Sequence, residues 1–407
     1  MQKNKTIGSM LIVAGTTIGA GMLALPIASA GLGFTTALLL ILATWVLMTY
    51  TALLMLELHQ YASKEATLNT LAKRILGKKG QYIANFSMVF LFYALCAAYI
   101  AGGGAQLQEK LTALTNMEIA PQAGSVLLAV LVATIVTLGT STVDKLNRVL
   151  FAIKIVVLAS LFFVLTPYVR GQHLLDMPVE QGLIISALPV IFTSFGFHGS
   201  IPSIVKYVGL DIRTLRKVMI VGASLPLVIY IGWQLLSQGV MAQSALLNSE
   251  GLPGFVASIS NIAHSPQVST FVTLFADLAL ATSFLGVSLG LFDFFADAFK
   301  KRNTVSERVI TALITFLPPL GFALFYPQGF IMALGYAAIA LVVLAIFLPV
   351  AMVWQQRKTH QTTKGDNPTA DGYQVVGGNV GLICAGLCGV LIISAQCLQM
   401  LGVIPAL

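Results

Sequence analysis

The hydrophobic positions of this chain fall into long unbroken runs. They show neither the spaced stripe of a soluble helix nor the alternation of a half-buried strand. Eleven runs cover about 7–31, 34–58, 82–108, 122–140, 149–168, 183–206, 217–241, 268–298, 308–326, 330–354 and 379–404. A helix needs ~20 mostly apolar residues to cross the hydrocarbon core of a bilayer. Lipid offers backbone groups no water, so a spanning segment bonds internally as a helix or pairs in a closed barrel. A barrel would show short alternating segments, which these runs are not. The pattern predicts an all-α integral membrane protein with eleven transmembrane helices and the lipid bilayer as its surroundings.

Composition narrows the function. Of 407 residues, 57% are apolar and 9% charged, against roughly 25% charged in a soluble domain. Too little polar surface exists for a soluble enzyme or a nucleic-acid binder. The net charge of +8 would otherwise suggest a polyanion partner, but its distribution says something else. Of the 23 Lys and Arg residues, 21 lie in or beside alternate connecting segments, from Lys3 and Lys5 to Arg357, Lys358 and Lys364. The opposite side receives Lys110 and Arg170. Basic residues collect on the cytoplasmic side, so the reading puts the N-terminus in the cytoplasm and the C-terminus outside. Lys3 and Lys5 followed by an apolar stretch and Ala28-Ser29-Ala30 have the outline of a signal peptide. A plain apolar region does not need the Gly and Thr residues that interrupt this one, so the first run is expected to stay as a span.

Two spans are interrupted near their middles. The first carries Gly15-Thr16-Thr17-Ile18-Gly19-Ala20-Gly21 and then Pro26; the sixth carries Ser194-Phe195-Gly196-Phe197-His198-Gly199-Ser200 and then Pro202. They lie five spans apart, so they cross the membrane in opposite directions. The expected organisation is a first inverted repeat over 1–170, a second over 171–356, a cytoplasmic loop over 357–378 and an added helix over 379–407. Breaks at corresponding places in two such halves mark the binding site of a secondary transporter. The open ends explain why: free amides at a half-helix start attract a carboxylate, and free carbonyls attract an ammonium. Gly15-x-x-x-Gly19 alone also fits a packing motif, and packing is the reading for Gly286-x-x-x-Gly290.

Catalytic chemistry finds no foothold. Five histidines are scattered over separate segments without HExxH, GxSxG or a Walker A motif. No metal, cofactor or enzyme activity is expected. Cys96, Cys384, Cys388 and Cys397 sit in apolar runs and read as small buried residues.

Long stretches are specific enough to show a resemblance: Ile12 to Pro26 (IVAGTTIGAGMLALP), Leu188 to Ser203 (LPVIFTSFGFHGSIPS), Leu274 to Asp293 (LFADLALATSFLGVSLGLFD) and Phe316 to Ala337 (FLPPLGFALFYPQGFIMALGYA). In these the chain resembles the hydroxy/aromatic amino acid permease family of the amino acid–polyamine–organocation superfamily. The resemblance implies a five-plus-five inverted-repeat fold with broken helices 1 and 6. It implies proton symport of an aromatic amino acid, tyrosine first, with a tryptophan-preferring or broad aromatic carrier as the alternative. Carried over to this chain, Gly15, Thr16, Thr17, Gly19, Ala20 and Gly21 would receive the carboxylate. Phe195, Gly196, Phe197, His198, Gly199 and Ser200 would receive the ammonium and supply an aromatic wall. Tyr93, Tyr99, Thr282 and Tyr336 would enclose the side chain.

Ionisable groups inside spans are functional by default. Lys154 lies several residues into the fifth run. Its long stem allows it to reach the interface. The alternative is proton coupling, because burial disfavours the ammonium form. In proton-coupled members of the superfamily a lysine on this span stands where sodium-coupled relatives bind a cation. That places Lys154 near Ala14–Thr17 and Thr282 or Ser283. Asp277, a third of the way into the eighth run from outside, divides between a structural role and a proton-linked or gating one. His198 divides among capping, substrate contact and proton carriage.

Overall fold

The computed structural model describes residues 2–262, 265–299, 304–363 and 372–405. Lys300, Lys301, Arg302 and Lys364, part of the charge pattern above, lie outside them.

Every hydrophobic run has become a helix. The first is broken into α1 (Gln2–Thr17) and α2 (Ala20–Ala28), bent by 50°. Then follow α3 (Phe34–His59), α4 (Leu68–Thr115), α5 (Pro121–Leu138) and α6 (Thr140–Leu165). The sixth run is broken again, into α7 (Gln181–Ser194) and α8 (Ile201–Val208), joined by a 3₁₀ turn over His198–Ser200. The remainder is α9 (Ile212–Val240), α10 (Gln243–Leu247), α11 (Gly251–Ile262), α12 (Pro266–Ala298), α13 (Val305–Phe325), α14 (Phe330–Val342), a π turn (Val343–Phe347), α15 (Leu348–Thr363) and α16 (Gly378–Met400). Among the described residues, nine helical stretches are long and apolar enough to cross a membrane, and the α1–α2 pair makes a tenth; α5 is a shorter apolar helix.

Polar residues punctuate the chain where helices start. Thr67 and Thr304 open α4 and α13 with reciprocal capping boxes, and Asp211 caps α9 through the amides of Arg213 and Thr214. α4 is far longer than the apolar run 82–108 because a helix outside the run, beginning at Leu68, joins it at Gly77, whose φ of 72° breaks the regular turn.

The bundle is organised around the broken pairs. α2 packs against α7; α3 against α9; α4 against α5, α12 and α14; and α6 against α12. The interior is apolar and aromatic, with Trp233, Tyr230, Phe192, Phe195, Phe275 and Phe330 almost wholly buried. Leu39, Phe86, Val130, Phe163, Val228 and Leu387 point outward, as lipid-facing residues do. The cysteines divide. Cys96 is buried, whereas Cys384, Cys388 and Cys397 lie exposed on α16. α16 covers the bundle on one side only, so its apolar residues need not be interior ones.

At the end of the bundle where α3 stops, a strap crosses it. Glu57 of α3 forms a two-pronged ion pair with Arg357 of α15, at 2.6 and 2.7 Å, and accepts from the Val375 amide at 2.8 Å. Gln60 exchanges hydrogen bonds with both backbone groups of Tyr373, at 2.6 and 2.8 Å. The Arg216 guanidinium lies 4.8 Å over the Tyr373 ring. The segment leading into α16 is thus fastened to α3, α9 and α15 together.

Candidate functional site

The two helix breaks meet. The Ser194 hydroxyl, on the last residue of α7, donates to the Gly21 carbonyl at 2.9 Å. The approach is close: a Cβ on Gly21 would lie 3.0 Å from the Ser194 Cα. The Tyr230 hydroxyl of α9 lies 2.6 Å from the Thr17 carbonyl and 2.7 Å from the Ser194 carbonyl. These are the last carbonyls of α1 and α7, the orphan acceptors that a helix end leaves behind. One phenolic hydrogen serves one carbonyl at a time, so the pair keeps an unfilled acceptor position. The buried Phe195 ring packs edge-on against Tyr230 at 5.0 Å. We expect Tyr230→Phe to remove about 1–3 kcal/mol, seen as a lower thermal midpoint of the solubilised protein and weaker substrate binding. Parent-like values of both would show that the bridge does nothing.

α2 begins at the same place. The Ala20 amide donates to the Ser283 hydroxyl of α12 at 3.1 Å, and the start of α2 faces a cavity. That cavity, of about 90 Å³, is lined by Thr16, Thr17, Gly19, Ala20, Gly21, Tyr99 and Gly196 among the residues expected from sequence. Leu91 and Leu95 of α4, Thr193 and Ser194 of α7, Ser283 and Val287 of α12, and Leu334 and Leu341 of α14 complete it. Ligand sites are usually ~300–1,000 Å³, so this is a contracted chamber.

Lys154 sits at the edge of the first break. It is 1% exposed. Its ammonium donates to the Ile18 carbonyl at 2.8 Å and to the Thr282 hydroxyl at 3.0 Å. The Thr282 hydroxyl in turn donates to the Leu278 carbonyl at 2.8 Å. The Phe151 ring lies 4.8 Å from the ammonium. Thr282 is thus held by Lys154 rather than lining the cavity, and the partner on the first helix is Ile18, one residue past the expected stretch. Interface snorkelling does not describe this lysine, whose ammonium points into the bundle.

Other expected residues stand elsewhere. Gly15 faces Phe151. Tyr93 donates to the Ile314 carbonyl at 2.7 Å, and Tyr336 packs edge-on against Phe322. Phe195, Phe197, His198, Gly199 and Ser200 do not line the cavity. His198 Nε2 lies 2.9 Å from the Thr51 hydroxyl, and Nδ1 is buried without a hydrogen-bond partner among the described residues. Asp277 also stands apart, in an ion pair with Lys110 of α4.

The sequence pattern does not single out Tyr230; Ser194 stands in it only as the first residue of the second break, and Ser283 only as a neighbour of Lys154. Tyr230 lies in an ordinary apolar run, and only the crossing of α9 over both breaks gives it a role. Ser283, expected near Lys154, instead accepts from the Ala20 amide at the first break.

Residues 2–396 match the tryptophan/tyrosine permease family. The chain belongs to this family. Among relatives of this permease, tyrosine-specific transport system 1 of Haemophilus influenzae is 42% identical, covering 99% of each chain. Tyrosine-specific transport system 2 of the same organism is 40% identical over 100% of this permease and 99% of its own length. The tryptophan-specific transport protein of H. influenzae is 36% identical, over 96% of this chain and 95% of its own. Membership makes the chain a multi-pass membrane permease and not an enzyme.

Proposed function

We propose that this permease imports an aromatic amino acid, most readily L-tyrosine, across the bacterial inner membrane by proton symport with alternating access. The observation that carries the reading is the junction of the two broken helices at one cavity, with the Lys154 ammonium bonded to the Ile18 carbonyl inside the first break. The start of α2 offers amides to the substrate carboxylate. The Thr17 and Ser194 carbonyls, sharing one phenolic hydrogen, offer an acceptor to the ammonium. Leu91, Leu95, Val287 and Leu341 give the side chain apolar walls. The present cavity is too small for a tyrosine, which suits a cycle in which the halves separate to admit it.

The same reading takes α5 as a span and gives eleven. It divides them into repeats over 1–170 and 171–356, followed by the loop 357–378 and the added helix 379–407. The packing supports the repeat: exchanging each span of one half for its counterpart turns the α4–α14 contact into α12–α6, and the α4–α5 contact into α12–α13, and all four exist. The basic connections put the N-terminus in the cytoplasm and the C-terminus outside. Proton coupling rests on Lys154. Asp277 lies outside the cavity.

The names of the relatives favour tyrosine, and tryptophan-specific members keep a broader aromatic substrate as the second reading. Labelled tyrosine uptake into proteoliposomes tests both. Accumulation should follow an imposed pH gradient and collapse with a protonophore; accumulation that ignores the gradient removes the symport mechanism. Stronger competition by tryptophan than by unlabelled tyrosine would reverse the preference.

A further inference from the structure

A second cavity, of about 240 Å³, lies between α4, α5 and α12. It shares one wall residue, Tyr99, with the candidate site. At the end nearer that site, the rings of Tyr99 and Phe284 meet edge to face, with centroids 6.4 Å apart. At the other end is the Lys110–Asp277 ion pair. Leu107 and Leu128 form the sides. Asp277 and Phe284 are seven residues apart on α12, which spaces the two ends by ~10 Å.

An ion pair neutralises two charges within a membrane span, but neutralisation does not explain where this one is. The two side chains are 34% and 36% exposed and line a cavity. An ammonium carries three donors and a carboxylate about four acceptor positions. Their mutual hydrogen bond uses one of each. What remains is a cation and an anion side by side, with two aromatic wall residues about one amino acid's length away. A carboxylate and an ammonium on one carbon match the polar end, and an aromatic ring matches the other.

We propose that this chamber is a second binding site for a zwitterionic amino acid with an aromatic side chain. The carboxylate meets Lys110, the ammonium meets Asp277, and the ring rests on Tyr99 and Phe284. Tyr99 is then the partition between a waiting molecule and the one being carried. The identity of the ligand rests on the transport reading above; the shape and charge of the chamber do not.

Equilibrium binding of labelled L-tyrosine to the purified full-length protein, in nanodiscs of phosphatidylethanolamine and phosphatidylglycerol, counts the sites. The wild type should bind two molecules per chain. Leu107→Trp, which fills the chamber, should bind one. The double variant Lys110→Met with Asp277→Asn, which keeps the shape and removes both charges, should also bind one. A wild-type count of one, unchanged in both variants, overturns the chamber site and leaves the transport reading standing. If Leu107→Trp instead loses one co-purified phospholipid with the tyrosine count unchanged, the chamber holds lipid and the proposal fails. A wild type that binds no tyrosine fails at the earlier step and takes this site with it.

Discussion

Lys154→Gln should abolish proton-driven accumulation of substrate while leaving exchange across the membrane measurable. The substitution keeps an amide donor near the Ile18 carbonyl and the Thr282 hydroxyl, which Lys154 now reaches at 2.8 and 3.0 Å. The break in the first helix therefore retains much of its support. What disappears is a group that can gain and lose a proton. A buried ammonium is costly unless its donors are used, and of the two hydrogen bonds made here one goes to the Ile18 carbonyl, on the segment that shifts in the proposed cycle. Motion of the break would withdraw the Ile18 carbonyl and release the proton. Accumulation under a pH gradient should fall by at least ~100-fold, or ~3 kcal/mol at 1.4 kcal/mol per factor of ten. Exchange of labelled for unlabelled tyrosine without a gradient should fall far less. Undiminished accumulation, with the variant present in the vesicles, removes Lys154 from the coupling. Equal loss of accumulation and exchange would make it a support for the break and nothing more.

The second large effect concerns stability. Glu57→Ala should destabilise the solubilised protein by ~3–5 kcal/mol, the usual cost of leaving one member of a buried ion pair alone. The Glu57 side chain is 4% exposed and that of Arg357 11%, so neither finds water when its partner is removed. Glu57 also holds the Val375 amide, so the strap before α16 loosens as well. Arg357→Ala should behave alike. The pair Glu57→Leu with Arg357→Met should recover most of the loss, because a matched apolar pair leaves no charge stranded. Thermal unfolding followed by tryptophan fluorescence reads all four proteins. A single variant melting with the parent would show that the pair is a bystander.

The fold was legible because lipid simplifies the pattern. Residues such as Phe34–His59 had one possible form once water was excluded from their surroundings, and the helix boundaries follow the apolar runs closely. The exceptions are α4, extended past its run by helical residues before the Gly77 kink, α6, which starts at Thr140, and α15, which runs on to Thr363. The breaks were legible because Gly, Ser and His in the middle of a span require a reason. The walls of the cavity were not. Leu91, Leu95, Val287 and Leu341 differ in no way from lipid-facing residues of the same type, and only the packing of α4, α12 and α14 selects them. Tyrosines misled for the same reason. Tyr93 and Tyr99 lie six residues apart on α4, yet Tyr99 lines the cavity and Tyr93 bonds to the Ile314 carbonyl. The strap was hidden differently: Glu57 and Arg357 are 300 positions apart in the chain, and each by itself resembles an ordinary charge at the end of a span.

The π turn over Val343–Phe347 has a geometric consequence. Successive residues of an α-helix advance by ~100°, and a π turn accommodates one extra residue without ending the helix. α14 and α15 are therefore out of phase by about that angle. Leu334 and Leu341 of α14 face the cavity, and Arg357 of α15 faces Glu57. In a regular helix the azimuth of one surface would dictate that of the other. The extra residue acts as a splice that lets the two surfaces be set separately, and deleting one residue within 343–347 would force the helix to give up either its cavity wall or its grip on α3.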